Sequence, residues 1–473
     1  MISLFLLLFA IAAPALGKVS ANVPVDYSNY SILDRLEAYG CAQPTFRALR
    51  PQGHADLKGA LALTGGKDRC EAPPWLLRER EILLRDLLQN DARVGLYFRH
   101  EDPLPLQGID ATVLPTYPER QGRFDYYGPN LFGEMTANAE AGQKVGVALS
   151  ITPGWVGTLE DYGRPLGRFY LHEGYIKVGY GRLEATYGRI ALGFGGAKHG
   201  GLILGTAAKP LNLWRLAFRP AALSETIGPF SIETWVSTND PLSGVKESKL
   251  WGIAVGARPF SFLELSLLEL YQFGGVGAPG LEGADYFGML GYSNDAILRN
   301  KRQRNMAIDL GIWGPSEFFK FYGQLFFDSL QSSDGTSYLA GLWLPKLGSL
   351  EFRLEYVNTA KTAYQDPFWT QGLTYQGTPL GHPLGPDAEG SYVDLEFPLE
   401  EASRLLVSGW YERRAKSKTS ENRTGMGLGW IGRWIQTEVS ITGRYFHIEN
   451  PQYLTGAADD AASALVTLRY SFL

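Results

Sequence analysis

From Ala92 to the C-terminus, apolar residues fall on every second position in a long series of short segments. Leu350, Phe352, Leu354 and Tyr356 alternate with Glu351, Arg353 and Glu355. Phe319, Phe321, Leu325 and Phe327 alternate with Lys320, Gln324 and Asp328, and Val393, Leu395 and Phe397 with Asp394 and Glu396. Val439, Ile441 and Tyr445 alternate with Glu438, Ser440, Thr442 and Arg444. A strand sends successive side chains to opposite faces, so each segment has one greasy face and one wet face.

A soluble sandwich would show the same alternation, and the connections separate the two cases. Long ones span Ser237–Ser248, Gly274–Asn305, Ser329–Ser337, Asn358–Glu389, Glu412–Gly425 and His447–Ala461. Short ones lie between them at Arg258–Ser261, Gly314–Ser316, Pro345–Ser349, Pro398–Ala402 and Gly432–Trp434. Outer-membrane barrels have short periplasmic turns and long external loops. The last segment, Ala464–Leu473, puts Val466, Leu468, Tyr470 and Phe472 in one row. It resembles the C-terminal signal read by the barrel-assembly machinery, with the aromatic residue penultimate. The fold class expected is an all-β transmembrane barrel of about 18 antiparallel strands, with about 16 or 20 open. The weakest strand candidates are Gly201–Thr206 and Leu213–Phe218, which are open to being one strand or a loop. Glu269 breaks phase on the row Leu263, Leu265, Leu267. Either a bulge re-phases that strand or Glu269 sits near the membrane interface.

Composition agrees. Charged residues are 20% and aromatics 13%, with 56 glycines in 473 residues. A net charge of −5 gives no basic footprint for nucleic acid. The run Leu4–Leu16 is apolar but short for a spanning helix and reads as the core of a secretory leader over residues 1–21. Val19 and Ala21 allow cleavage before Asn22; Ala15-Leu16-Gly17 allows it before Lys18. Beyond the leader no segment approaches the roughly 20 apolar residues of a membrane helix. A membrane-spanning chain without such helices must be a closed barrel.

Residues 22–90 read as a small periplasmic α-helical bundle. Asp26 can cap a helix that runs to Tyr39, with Tyr30, Leu33 and Leu36 on one face and Gly40 as its stop. A second helix fits His54–Leu63. A third follows Pro73-Pro74 with Leu76, Leu83 and Leu87 on one face, up to Asn90. Cys41 and Cys70 both lie here. In an oxidising compartment a disulfide is expected; two free thiols are the alternative. His54 is the only nearby histidine, which disfavours zinc. The barrel domain is expected over 92–473.

Several patches resemble the outer-membrane capsule-assembly family called Wzi. They are Gly174-Tyr175-Ile176-Lys177-Val178-Gly179, Lys198-His199-Gly200-Gly201-Leu202-Ile203-Leu204, and Arg258-Pro259 before Phe262-Leu263-Glu264. Gln272-Phe273-Gly274-Gly275 and Leu380-Gly381-His382-Pro383-Leu384-Gly385-Pro386-Asp387 follow in order, and Asn22-Val23-Pro24-Val25-Asp26 resembles the start of the family's bundle. Ile190–Ala197 and Glu269 depart from the family's pattern. The resemblance implies an 18-stranded barrel with an N-terminal helical bundle. It also implies a lectin-like role in holding capsular polysaccharide, or another exopolysaccharide, on the cell surface.

Sugar binding needs flat aromatic faces beside polar donors and acceptors. The loop Asn358–Glu389 offers Tyr364, Phe368, Trp369, Tyr375, His382, Asp366 and Asp387; an earlier loop, Pro153–Arg168, offers Trp155 and Tyr162. Packing within the loop or a place in the interfacial girdle is the competing reading for these aromatics. Glu351, Arg353, Glu355, Asp394, Glu396, Arg404, Glu438 and Arg444 are expected in a lumen network, structural by default and a selectivity filter as the alternative. The six histidines are scattered, and no P-loop, dinucleotide fingerprint or metal spacing occurs, so neither an enzyme nor a cofactor is expected. A channel for small solutes or sugars is the second functional reading. Partners expected are the polysaccharide, outer-membrane lipid and the assembly machinery, with a monomeric protein.

Overall fold

The computed structural model describes residues 20–472 apart from 24–26, 45–47, 63–69, 71, 87–89, 101–103, 106–111, 114–127, 142–144, 159–166, 206–207, 220–227, 239–244, 246, 280–284, 286–300, 315–317, 329–335, 367, 371, 376–377, 400–401 and 435. Three helices come first: α1 (Tyr27–Ala38), α2 (His54–Ala62) and α3 (Pro74–Asp86). Eighteen antiparallel strands then close into one barrel in which each pairs with its neighbours in sequence. They are β1 (Asn90–His100), β2 (Gly128–Ala141), β3 (Val145–Thr158), β4 (Arg168–Tyr180), β5 (Leu183–Ile190) and β6 (Leu211–Phe218). Next come β7 (Phe230–Thr238), β8 (Lys249–Phe260), β9 (Leu263–Phe273), β10 (Arg302–Trp313), β11 (Lys320–Phe327) and β12 (Thr336–Leu347). The last six are β13 (Leu350–Asn358), β14 (Glu389–Pro398), β15 (Ser403–Arg414), β16 (Glu421–Arg433), β17 (Thr437–Glu449) and β18 (Ala458–Phe472). Strand β1 pairs with β18 from Asn90↔Phe472 to His100↔Ala462, which seals the cylinder. Closure leaves no unpaired edge, the condition for a sheet to cross lipid.

The period-two pattern becomes an inside and an outside. Val145, Val147, Leu149 and Ile151 of β3 are exposed, while Ala148, Ser150 and Thr152 between them are buried. The same division runs through β9, β10, β13 and β18. An outward band of large aliphatic and aromatic residues fits a hydrocarbon solvent.

Three register shifts interrupt the ladders, and each falls at a proline. They lie beside Pro153 in β3, between Ala257 and Phe260 around Pro259, and between Leu344 and Leu347 around Pro345. Proline has no N–H to donate, so the ladder breaks where it stands.

The helices bury Tyr30, Leu33, Leu36, Leu57, Leu61, Leu76 and Leu83 in one apolar cluster around Cys41. Gly40 ends α1 with φ 69°, and the Cys41 N–H reaches back to the Leu36 carbonyl at 2.7 Å. That is the left-handed stop for which glycine is suited. Cys41 and Cys70 form a disulfide.

Several expectations need correction. Helix α3 stops at Asp86, and Asn90 already belongs to β1, so the barrel starts before Ala92. Leu87 lies outside the described residues. Leu211–Phe218 is a full barrel strand, whereas 201–205 is not a wall strand, and Thr206 lies outside the described residues. Its Ile203 makes only an isolated bridge to Gly381. The reason is burial on both sides: Leu202, Ile203 and Leu204 lie inside the lumen, where an apolar run needs no alternation. Glu269 is not re-phased by a bulge. β9 and β10 pair without a shift from Leu263↔Ile312 to Phe273↔Arg302. Glu269 therefore stays on the outward face near the long-loop end. There Arg304 forms an ion pair with it and the Tyr271 hydroxyl donates to it.

Candidate functional site

Three segments converge inside the lumen, and the first two are fixed by charges on the wall. From the helical end comes Arg35 of α1. Its guanidinium pairs with Glu79 of α3 at 3.2 Å, with Glu396 of β14 at 3.0 Å and with Glu351 of β13. Glu79 in turn binds Arg404 of β15 at 3.0 Å. Arg258, near the end of β8, pairs with Glu37 of α1. These contacts seat the helices against the short-turn end. Buried ions cost several kcal/mol each to desolvate, and the clustering of both signs offsets that cost.

The second segment is the connection between β5 and β6. Lys198 reaches Glu396 at 3.0 Å, and its backbone N–H donates to Glu355 at 2.7 Å. His199 donates its backbone N–H to Glu355 at 3.0 Å. Its ring lies 2.7 Å from Asp394 and stacks on Tyr392 with centroids 4.3 Å apart. Gly195, at φ 85°, lies so close to the Gln324 amide that a Cβ would fall 1.7 Å from Nε2. Phe194 and Gly193 pair with Leu49 and Arg50 of the α1–α2 connection. The helical segment and this inner loop are thus joined by backbone hydrogen bonds within the barrel.

The third segment is the connection from β13 to β14. Tyr364 donates its hydroxyl to the Leu202 carbonyl at 2.9 Å, and the Gly205 N–H reaches the Leu380 carbonyl at 3.2 Å. Tyr364, Tyr375, Leu380 and Leu384 join the inward faces of β6–β14 in one apolar cluster. The opposite wall is looser: Ser408, Thr442, Leu465 and Thr467 point inward and are only half-buried.

The eight wall charges all occupy lumen-facing positions. Glu351, Glu355, Asp394, Glu396 and Arg404 hold the helices and the inner loop as described. Arg353 donates to the Tyr322 hydroxyl at 3.0 Å and lies over the Trp343 ring. Glu438 binds Arg433 at 2.6 Å, and Arg444 lies over Trp410 at 5.3 Å. Most of this network anchors inserted chain; it is not a ring around an open bore. Its partners Arg35 and Glu79 carried no local signal, because a lone charge on a helix looks the same whether it meets water or a carboxylate, and Lys198 and His199 stood out only within a patch of family resemblance.

The aromatic loop residues divide. Trp369, Tyr364, Tyr375 and His382 are buried, so their rings pack the loop rather than face solvent. Burial, with His199 and Arg414 nearby, holds the His382 imidazole down at about 3. Phe368 and Asp366 stay half-buried at the surface, with Asp366 accepting the Phe368 and Trp369 N–H groups at 2.8 and 3.1 Å. Asp387 is buried and holds Ser417 at 2.6 Å. Trp155 belongs to β3 rather than a loop. It lies on the outward face with Leu149 and Ile151, because the strand runs on past Pro153 to Thr158. Tyr162 lies outside the described residues.

One arrangement superficially suits hydrolysis. Ser408 donates to Asp394 at 2.7 Å, and Asp394 also holds His199. The carboxylate stands between the serine and the histidine, so the imidazole is not placed to take the serine proton, as nucleophile activation requires. Among the described residues no group of three or more His, Cys, Asp or Glu could hold a metal ion.

No curated protein matches the chain. Among solved structures, the Escherichia coli protein Wzi, described as an outer membrane protein involved in group 1 capsule assembly and a carbohydrate-binding β-barrel, is similar with a TM-score of 0.71 at 18% identity. The match covers 96% of this chain and 100% of that one. OccAB2 of Acinetobacter baumannii matches with a TM-score of 0.48 at 12% identity, over 81% of this chain and 97% of that one. The family model described as capsule assembly protein Wzi matches residues 114–461. That match spans most of the chain, and this chain belongs to the capsule assembly protein Wzi family.

Proposed function

We propose that this protein is an outer-membrane, lectin-like barrel that holds capsular polysaccharide or another exopolysaccharide on the cell surface and catalyses no reaction. The observation that carries the reading is the full-length similarity to a carbohydrate-binding barrel of the same family. A lumen occupied by three chain segments supports it over free passage of solutes. The short-turn end, with the three helices as a small bundle, faces the periplasm, and the long loops face the medium. Polysaccharide then meets the loop end. There Phe368 supplies an aromatic face and Asp366 a carboxylate, on a loop stiffened by buried Trp369, Tyr364, Tyr375 and His382. The protein works as a monomer in outer-membrane lipid, folded there by the assembly machinery.

Binding of purified protein to polysaccharide isolated from the same strain tests this. Saturable binding is expected. Phe368→Ala should weaken it by roughly fivefold, since an aromatic contact contributes about 1 kcal/mol. No binding at any accessible concentration would overturn the proposal.

A further inference from the structure

Residues 20–23, ahead of α1, are tied into the molecule by a run of hydrogen bonds. Ser20 and Ala21 are 3% and 0% exposed. The Ser20 carbonyl accepts from Lys177 Nζ of β4 at 2.8 Å. Lys177 is fully buried, and its carboxylate partner Glu184 is farther away, at 3.5 Å. The Ser20 hydroxyl accepts the Ala55 N–H at 2.8 Å, one of the donors that the first turn of α2 leaves without an internal partner. The Ala21 N–H donates to Glu140 of β2 at 2.8 Å. The Asn22 N–H donates to the Tyr175 hydroxyl of β4 at 2.7 Å, and the Val23 N–H to the Gln52 carbonyl at 2.8 Å. A Cβ on Gly53 would stand 2.8 Å from the Ser20 hydroxyl, so that glycine leaves room for the serine.

The leader has two cleavage sites that satisfy the small-residue rule, before Asn22 and, as the second option, before Lys18. They do not leave equal proteins. A cut before Asn22 removes Ser20 and Ala21. The buried Lys177 ammonium then loses its nearest acceptor, and the Ala55 N–H loses its cap. The new α-ammonium of Asn22 also arrives at a buried tyrosine hydroxyl.

We infer that the leader is removed between Gly17 and Lys18, and that the mature chain keeps Ser20 and Ala21 as a strap tying the helical segment to β2 and β4. Water adds across the Gly17–Lys18 peptide bond, leaving the Gly17 carboxylate on the leader and a free amine on Lys18. The inference rests on the reading of residues 1–21 as a leader.

Intact mass and N-terminal sequencing of the protein purified from its membrane test it. A chain starting at Lys18 is expected. A chain starting at Asn22 overturns the inference, whereas a chain that keeps Met1 overturns the leader reading beneath it. Chains made to start at Lys18 and at Asn22, each refolded in detergent, give a second readout. The shorter chain should unfold at a lower temperature; equal midpoints would contradict the strap.

Discussion

Arg35 of α1 lies 3.0 Å from Glu396 of β14, so a helix near the N-terminus and a wall strand 361 residues later share one buried ion pair. The same guanidinium also holds Glu79 and Glu351. Three carboxylates around one cation make that cation the fastening between helices and barrel.

Replacing it should therefore loosen the helices more than the wall. Arg35→Met leaves buried carboxylates short of a partner, a change that costs about 3 to 5 kcal/mol. Limited proteolysis should cut the helical segment at a lower temperature than in the parent, with the barrel still resistant to unfolding in detergent. Arg35→Met combined with Glu351→Gln should recover part of the loss. Identical protease resistance in the single variant would refute the fastening.

The disulfide acts on the same segment. Cys41 and Cys70 are 29 residues apart, and closing a loop of that size contributes roughly 3.5 kcal/mol by restricting the unfolded chain. Cys41→Ala with Cys70→Ala should lower the melting temperature of the helical circular-dichroism signal and leave the strand signal in place. Loss of both signals together would show that the barrel depends on the bridge as well.

His382 makes the β13–β14 loop sensitive to acid. Its folded pKa is about 3, against an ordinary value near 6.5. Above pH ~6.5 neither folded nor unfolded loop binds the proton, and stability is unaffected. Between pH ~6.5 and 3 the unfolded loop takes up a proton that the buried ring refuses, so stability falls as pH falls. Amide exchange across residues 359–388 should be faster at pH 4.5 than at 7.5 after correction for intrinsic rates. His382→Gln should flatten that dependence, and an unchanged slope in the variant would assign it to another group.

The wall was far more legible in the sequence than its contents. Alternation such as Glu351 to Tyr356 has one strand reading, and long and short connections set the direction of each strand. The inserted loops have no such period. Leu202, Ile203 and Leu204 are apolar in a row because they are buried all round, and that imitates a strand. Trp155 looked like a loop residue because Pro153 breaks the ladder, yet β3 runs on to Thr158. The aromatics of the β13–β14 loop were visible as a group. Which of them face solvent depends on contacts such as Tyr364 to Leu202, across 162 residues of chain.

The most direct measurement is the fraction of polysaccharide that stays with the cells when the gene is deleted. The account predicts that total polysaccharide is unchanged and that most of it moves from the cell pellet into the medium, with return to the pellet on complementation. Polysaccharide that remains cell-bound in the deletion strain would contradict it.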